Sequence, residues 1–191
     1  QQGVLHRDLK PANILVDASD RPRVTDFGLA RLIKQESIGT IRGTKLGTPS
    51  YMSPEQAEGR NADLDERSDV YSLGGVLYEM LTGKPPLRGE TPEQTYLEVV
   101  NVPPVSPRVH NPGVPVDLEA ISLKCLEKDP GRRYSSAKEL ADEVQRFLDG
   151  GPVLARPVGN RSLRRYAAIA RLENTVAAIG LFTGLIIAVL L

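Results

Sequence analysis

The pattern of apolar and polar positions predicts a small hairpin near the start of the chain and a buried helix in its middle. Two three-residue segments, Ile-Leu-Val at 14–16 and Arg-Val-Thr at 23–25, flank a stretch rich in turn-forming residues. This arrangement is typical of a β-hairpin. The segment 68–81 is apolar on nearly every side and stops just before Gly83. A helix that is apolar all round belongs in the middle of a domain, and glycine favours a helix end there.

Two later segments also show helical periodicity. In the first, apolar residues recur at i, i+3, i+7 and i+8, at Leu118, Ile121, Cys125 and Leu126. In the second, Ser136 and Glu139 have the spacing of a capping box, and Gly150 marks the end. Its predicted core positions are Leu140, Val144, Phe147 and Leu148. The pattern predicts an α+β fold that is mainly helical, with one small hairpin.

The composition permits a core but points to no charged partner. The 191 residues are 40% apolar, and 24 Lys and Arg balance 24 Asp and Glu, so no global field favours nucleic acid. Cys125 is the only cysteine, which excludes an internal disulfide and suits a small core residue. The proline-rich segment 87–116 shows no catalytic pairing, and His110 within it is expected on the surface.

Candidate chemistry is concentrated at one edge of the predicted hairpin. Asn13 immediately precedes the first strand and Asp26 immediately follows the second. In an antiparallel pair these two positions lie at the same edge, so two oxygen ligands face one point. An amide oxygen and a carboxylate suit Mg²⁺, which proteins usually hold by one or two oxygens together with substrate phosphates. Asp8, five residues before Asn13, is placed to hold a substrate hydroxyl nearby.

These residues belong to an ordered set of motifs that resembles the protein kinases. His6-Arg7-Asp8 with Asn13 is similar to the catalytic loop, Asp26-Phe27-Gly28 to the metal-binding triplet, and Ser53-Pro54-Glu55 to the A-P-E element. Lys10 resembles the serine/threonine-specific form of the loop. The resemblance covers residues 1–149 and implies the helical C-terminal lobe of the kinase fold. The family's N-terminal lobe is absent from the sequence, so the chain is expected to be a fragment that is inactive alone.

The resemblance implies a role for each residue of the loop. Asp8 would orient a protein Ser or Thr hydroxyl and accept its proton, and Lys10 would offset charge on the phosphoryl group transferred from ATP. Asn13 and Asp26 would hold Mg²⁺ that bridges the phosphates, with Lys10, Asn13 and Asp26 forming the cofactor site. A simpler alternative is that Asp8 only caps its loop. A second alternative is a membrane-tethered pseudokinase that binds partners without catalysis.

The segment 29–51 resembles the family's activation segment. Ser37, Thr40 and Thr44 are candidate phosphorylation sites with Arg7 as a phosphate partner, although solvated loops are rich in such hydroxyls anyway. Thr48 resembles the threonine that packs against the catalytic loop.

Two anchors are also implied by the resemblance. Arg133, in the late arginine motif, would pair with Glu55 and hold the end of the activation segment. Asp69 would bond to the backbone of the catalytic loop. A simpler role is that Ser68 and Asp69 cap the helix, and the two roles are compatible.

The C-terminal end differs in character from the rest of the chain. The linker 150–173 is basic, and residues 175–191 carry no charge. This indicates a truncated transmembrane helix over 174–191, with a buried core helix as the competing interpretation. Arginines on one side would keep the kinase part cytoplasmic. The whole resembles a bacterial receptor-type serine/threonine kinase, whose partners would be protein substrates, ATP, the membrane and a second copy in a homodimer.

Overall fold

The computed structural model describes residues 5–26, 49–155 and 184. Phe27, Gly28, Ser37, Thr40, Thr44 and Thr48 lie outside this range, as does the predicted membrane segment 174–191 apart from residue 184. Within residues 5–26 and 49–155, no helix is long and apolar enough to cross a bilayer.

The described elements follow one another as a hairpin and a set of helices. The strands are β1 (Ile14–Val16) and β2 (Pro22–Val24). The α-helices are α1 (Pro54–Ala57), α2 (Glu66–Thr82), α3 (Pro92–Asn101), α4 (Pro107–His110), α5 (Val116–Cys125) and α6 (Ala137–Leu148). Short 3₁₀ turns cover Pro11–Asn13, Pro49–Tyr51, Asn61–Asp63 and Pro130–Arg132. The mainly helical α+β prediction is therefore confirmed for this part of the chain.

The antiparallel pairing of β1 with β2 confirms the predicted hairpin. Ile14 lies opposite Val24, and Val16 opposite Pro22. The turn between them is held by Asp17, whose carboxylate accepts hydrogen bonds from the backbone N–H groups of Ser19 at 2.9 Å and Arg21 at 3.0 Å. A side chain that bonds to backbone two residues on is the usual reason for aspartate in turns.

Helix α2 is the centre of the described lobe, as its all-round apolar pattern predicts. Its residues from 68 to 78 are buried, and Gly83 ends it with φ +72°. The start of the helix differs from the sequence expectation. Asp65 is the N-cap and accepts a hydrogen bond from the Arg67 N–H, so Ser68 and Asp69 fall within the first turn and are free to bond elsewhere.

The core forms where α5 and α6 pack against α2. Cys125 is fully buried there, and burial raises the pKa of its thiol. Leu9 of the catalytic loop, 1% exposed, joins the same core and so fixes the loop to the helices. The other fully or nearly fully buried members are Val70, Leu73, Val76, Leu77, Val114, Leu118, Ala120, Ile121, Tyr134, Leu140 and Val144.

One detail of the helices corrects a sequence prediction, and another was not predicted. The Ser136 side chain accepts from the Glu139 N–H at 3.2 Å, but the Glu139 carboxylate bonds to Ser135, so the predicted capping box is only half formed. The proline-rich segment 87–116 contains α3 and α4, each with proline at its first helical position. Proline is tolerated at that position because its missing N–H would have no helical partner. His110 is exposed, as expected.

We predict that Gly74→Ala destabilises the protein, although alanine is normally the better helix former by about 1 kcal/mol. A Cβ at Gly74 would lie 2.3 Å from the Cβ of Cys125, because α2 and α5 approach closely there. Overpacking of this kind costs about 1–3 kcal/mol, which outweighs the gain in helix propensity. Urea titration should show a lower free energy of unfolding. An equal or higher value would mean that the two helices separate without cost.

Candidate active site

The backbone of the catalytic loop is fixed by a carboxylate from the central helix. Asp69, 5% exposed, accepts hydrogen bonds from the N–H groups of His6 at 2.8 Å and Arg7 at 2.9 Å. Burial raises the pKa of Asp69, although these two hydrogen bonds act to lower it. Asp69 therefore joins the first turn of α2 to the loop, rather than capping the helix.

His6 connects the loop to the hairpin. Its buried ring places Nε2 2.8 Å from the Thr25 carbonyl oxygen, and Nδ1 lies 3.3 Å from the Asp8 N–H. A carbonyl only accepts and a backbone N–H only donates, so Nε2 donates to the Thr25 carbonyl and Nδ1 accepts from the Asp8 N–H. The ring thus has a structural role next to Asp8.

Asp8, Lys10 and Asn13 form one cluster at the mouth of the loop. Lys10 Nζ lies 2.8 Å from Asp8 Oδ2, and Asn13 Nδ2 donates to the Asp8 carbonyl at 2.8 Å and to Oδ2 at 3.2 Å. The side chains of Lys10 and Asp8 are 28% and 33% exposed. The cluster is therefore ordered by its own contacts and still open to a substrate.

Asn13 and Asp26 lie at the same edge of the hairpin. The Thr25 N–H donates to the Asn13 carbonyl at 2.9 Å, and Asp26 follows with φ +61° and an exposed side chain. The Asn13 amide nitrogen donates to Asp8, so the chemistry of the edge supplies the Asn13 amide oxygen and the exposed Asp26 carboxylate as hard donors. Two such oxygens fit a divalent cation that also takes ligands from phosphate and water.

A buried ion pair joins two residues that lie 78 positions apart in the chain. Arg133 donates to Glu55 through both terminal nitrogens, at 2.8 and 2.9 Å, and the two side chains are 0% and 1% exposed. Burial acts to raise the pKa of Glu55, but the hydrogen bonds and charge of Arg133 lower it to about 2. Glu55 is therefore ionised at neutral pH, and the pair fixes α1 to the segment after α5.

The guanidinium of Arg133 uses all five of its N–H donors. Three of them go to backbone carbonyls, those of Glu127 at 2.8 Å, Arg67 at 3.0 Å and Lys128 at 3.1 Å. Its planar group also stacks over the Tyr71 ring, 4.9 Å from the centroid. A fully bonded buried guanidinium is the arrangement in which a buried charge is tolerated.

Some contacts between helices of the described lobe were not foreseen from the sequence. The Ser68 hydroxyl donates to Glu55 at 2.7 Å, and the Tyr51 hydroxyl donates to Glu79 near the end of α2. Lys128 Nζ bonds to the Val99 carbonyl at 2.6 Å at the end of α3, and burial lowers the pKa of this lysine to about 8. These partners are distant in sequence, so no local pattern could have indicated them.

Comparison with known proteins identifies the class that this fold and site define. Residues 1–144 match the family described as the protein kinase domain, so the chain belongs to that family.

Among curated proteins, it is 45% identical over 152 residues to the serine/threonine-protein kinase PknB of Mycobacterium leprae, covering 80% of this chain and 24% of PknB. A probable serine/threonine-protein kinase of Streptomyces coelicolor is 41% identical over 152 residues, covering 79% of this chain and 22% of that protein. A similar Clostridium acetobutylicum protein is 42% identical over 144 residues, with 75% and 22% covered. The chain spans about a quarter of the length of these relatives.

Proposed function

We propose that the protein containing this chain is a serine/threonine protein kinase that transfers the γ-phosphoryl group of ATP to protein hydroxyls. The observation that carries the proposal is the cluster of Asp8, Lys10 and Asn13, with the exposed Asp26 at the same edge of the hairpin as Asn13. The names of the bacterial relatives support the serine/threonine class.

In the proposed reaction Asp8 orients the substrate hydroxyl and accepts its proton as the oxygen bonds to phosphorus. ADP leaves as the bond from its β-phosphate oxygen to the γ-phosphorus breaks. Lys10 Nζ, already 2.8 Å from Asp8 Oδ2, places a positive charge where charge develops on the transferred group. In this reaction positioning and electrostatics supply most of the rate enhancement.

Asn13 and Asp26 are the residues that would hold Mg²⁺. When bound, the ion neutralises charge on the phosphates and keeps them in a reactive geometry. The Asn13 amide is held in place for this by its two hydrogen bonds to Asp8.

We also propose that phosphorylation of Ser37, Thr40 or Thr44 regulates the activation segment, with Arg7 as a phosphate partner. Phe27 and Gly28 would complete the metal-binding triplet, and Thr48 would shape the hydroxyl site. Support for these roles is the resemblance of the sequence motifs. Mapping the phosphorylated residues by mass spectrometry tests them, and a phosphate confined to other positions would contradict the assignment.

A membrane location is a further part of the proposal. The uncharged run 175–191 follows five arginines between 156 and 171, which suits a helix that starts at the cytoplasmic side. Carbonate extraction of membranes from cells should leave the protein in the pellet only when 174–191 are present. Light scattering on the detergent-solubilised protein tests whether two copies pair.

The test of the main proposal uses the protein extended through its native upstream coding sequence. With labelled ATP and Mg²⁺ we expect label on serine or threonine after acid hydrolysis, and none on tyrosine. A folded protein that binds ATP and transfers no label would contradict the proposal. That outcome would instead support the membrane-tethered binding module.

A further inference from the structure

Gln56, the residue after Glu55, connects the end of the activation segment to the catalytic loop. Its side-chain oxygen accepts from the Ser53 N–H and the Ser53 hydroxyl, both at 3.1 Å. Its side-chain nitrogen donates to the Arg7 carbonyl at 2.8 Å, 49 residues away in sequence. The Ser53 N–H only donates and the Arg7 carbonyl only accepts, so the two contacts together require an amide in this orientation.

The residue that Gln56 holds has an unfavourable backbone conformation. Arg7 has φ +67°, in the left-handed region that residues with a Cβ rarely adopt. Its N–H is bound by Asp69 at 2.9 Å and its carbonyl by Gln56. A strained residue persists where its surroundings over-determine it, and here both of its backbone groups are fixed by side chains from α1 and α2.

The bond to Gln56 acts on the peptide unit that leads into Asp8. The carbonyl of that unit is bound by Gln56, and its N–H, which belongs to Asp8, donates to His6 Nδ1 at 3.3 Å. A peptide unit is planar, so fixing both of its polar groups fixes the plane. The direction in which the Asp8 side chain leaves the backbone then depends on that plane.

We propose that Gln56 is a positioning residue for Asp8, which couples the activation-segment anchor at Ser53 and Glu55 to the geometry of the catalytic aspartate. The inference rests on the proposed kinase function. Gln56 does not touch the reacting atoms and acts only through the Arg7–Asp8 peptide. An activation segment that shifts α1 would thereby rotate that peptide and misplace Asp8.

Gln56→Glu separates this role from a simple stabilising one. The introduced carboxylate keeps the acceptor for Ser53, since serine and glutamate three residues apart form a capping box. It removes the N–H donor to the Arg7 carbonyl and places a carboxylate oxygen against that carbonyl oxygen. In the protein extended through its native upstream sequence, we expect kcat to fall by about 10–100-fold, as misplacement by about 1 Å does. The KM for ATP should stay close to the wild-type value, and the rates are compared at a temperature below the unfolding midpoint of each variant.

The pH profile gives a readout that a structural role would not change. A protonated carboxyl has an O–H that can donate to the Arg7 carbonyl. The ratio of the Gln56→Glu rate to the wild-type rate should therefore rise as the pH falls from 8 to 5.5. Gln56→Lys is the reciprocal variant, which keeps a donor and loses the acceptor, and it should retain more of kcat than Gln56→Glu.

Gln94→Glu is the matched control, because Gln94 accepts from the Thr91 N–H at 3.2 Å in the capping box of α3, away from the loop. Gln94→Glu should leave kcat unchanged.

An unchanged kcat in Gln56→Glu, together with a ratio of variant to wild-type rate that does not change with pH, would overturn the inference and leave the kinase function standing. A kcat in Gln56→Lys as low as in Gln56→Glu would also overturn it, even if the glutamate variant folds poorly. A wild type that transfers no phosphate overturns both proposals.

Discussion

Replacing Asp8 with asparagine should lower the rate of phosphoryl transfer by about 10²–10⁴-fold, the usual contribution of a positioned general base. In the wild type, Asn13 and Lys10 donate to Asp8 Oδ2 at 3.2 and 2.8 Å. The amide oxygen of the introduced asparagine can still accept from both. The loop should therefore keep its shape while losing the group that takes the proton. The measurement is transfer of labelled phosphate to a protein substrate at saturating ATP, with the protein extended through its native upstream sequence.

Two controls decide whether the loss at Asp8 is chemical. Asp142→Asn changes an exposed aspartate on α6 that pairs only with Lys138 among the described residues, and its rate should equal that of the wild type. Thermal unfolding of Asp8→Asn should shift little, because a partly exposed ion pair contributes about 0–1 kcal/mol. A variant that transfers phosphate as fast as the wild type would remove Asp8 from the mechanism.

The parts of the fold that sequence reasoning identified are those in which burial follows a local period. The i, i+3, i+7 spacing of Leu118, Ile121 and Cys125 predicts α5, and all three side chains are buried in the core. The hairpin could also be predicted from the sequence, because Asp17 holds the turn through backbone N–H groups only two and four residues away. In both cases the residues that determine the element lie within one short stretch of sequence.

Helix α3 was missed although its start signal was present. Thr91 and Gln94 have capping-box spacing and Pro92 occupies the first helical position, but no helix was predicted in this proline-rich segment. Only Thr95 and Val99 of this helix are buried, so its apolar period is weak.

The start of α2 was misplaced for a different reason. Ser68 and Asp69 are good cap residues by type, yet their side chains are used by Glu55 and the catalytic loop.

The candidate site shows the same division between local and distant information. The order of Asp8, Lys10 and Asn13 could be read from the sequence, since the three lie within six residues. The tether of Arg7 by Gln56 could not, because it depends on two segments 49 residues apart meeting in the fold. The Glu55–Arg133 pair was expected only through the family resemblance, not from any pattern in the chain.

Arg133→Lys should lower the free energy of unfolding by about 3 kcal/mol, near the lower end of the cost of breaking a buried pair. Lysine keeps the charge but has three donors on one atom, whereas Arg133 uses five N–H groups on Glu55 and three carbonyls. The variant therefore leaves buried acceptors unpaired and loses the bidentate bond to Glu55. Urea titration of the full protein measures the change.

The neighbouring arginine provides the control for this experiment. Arg132 has a side chain that is 72% exposed and lies 3.9 Å from Asp129, so Arg132→Lys should change the free energy of unfolding by no more than about 0.5 kcal/mol. Equal effects of the two variants would contradict the role given to the buried pair.

Exchanging the charges of Glu55 and Arg133 is not a suitable rescue. A carboxylate at position 133 would face the carbonyls of Glu127, Arg67 and Lys128, so the double reversal should remain destabilised even though the opposite charges are restored.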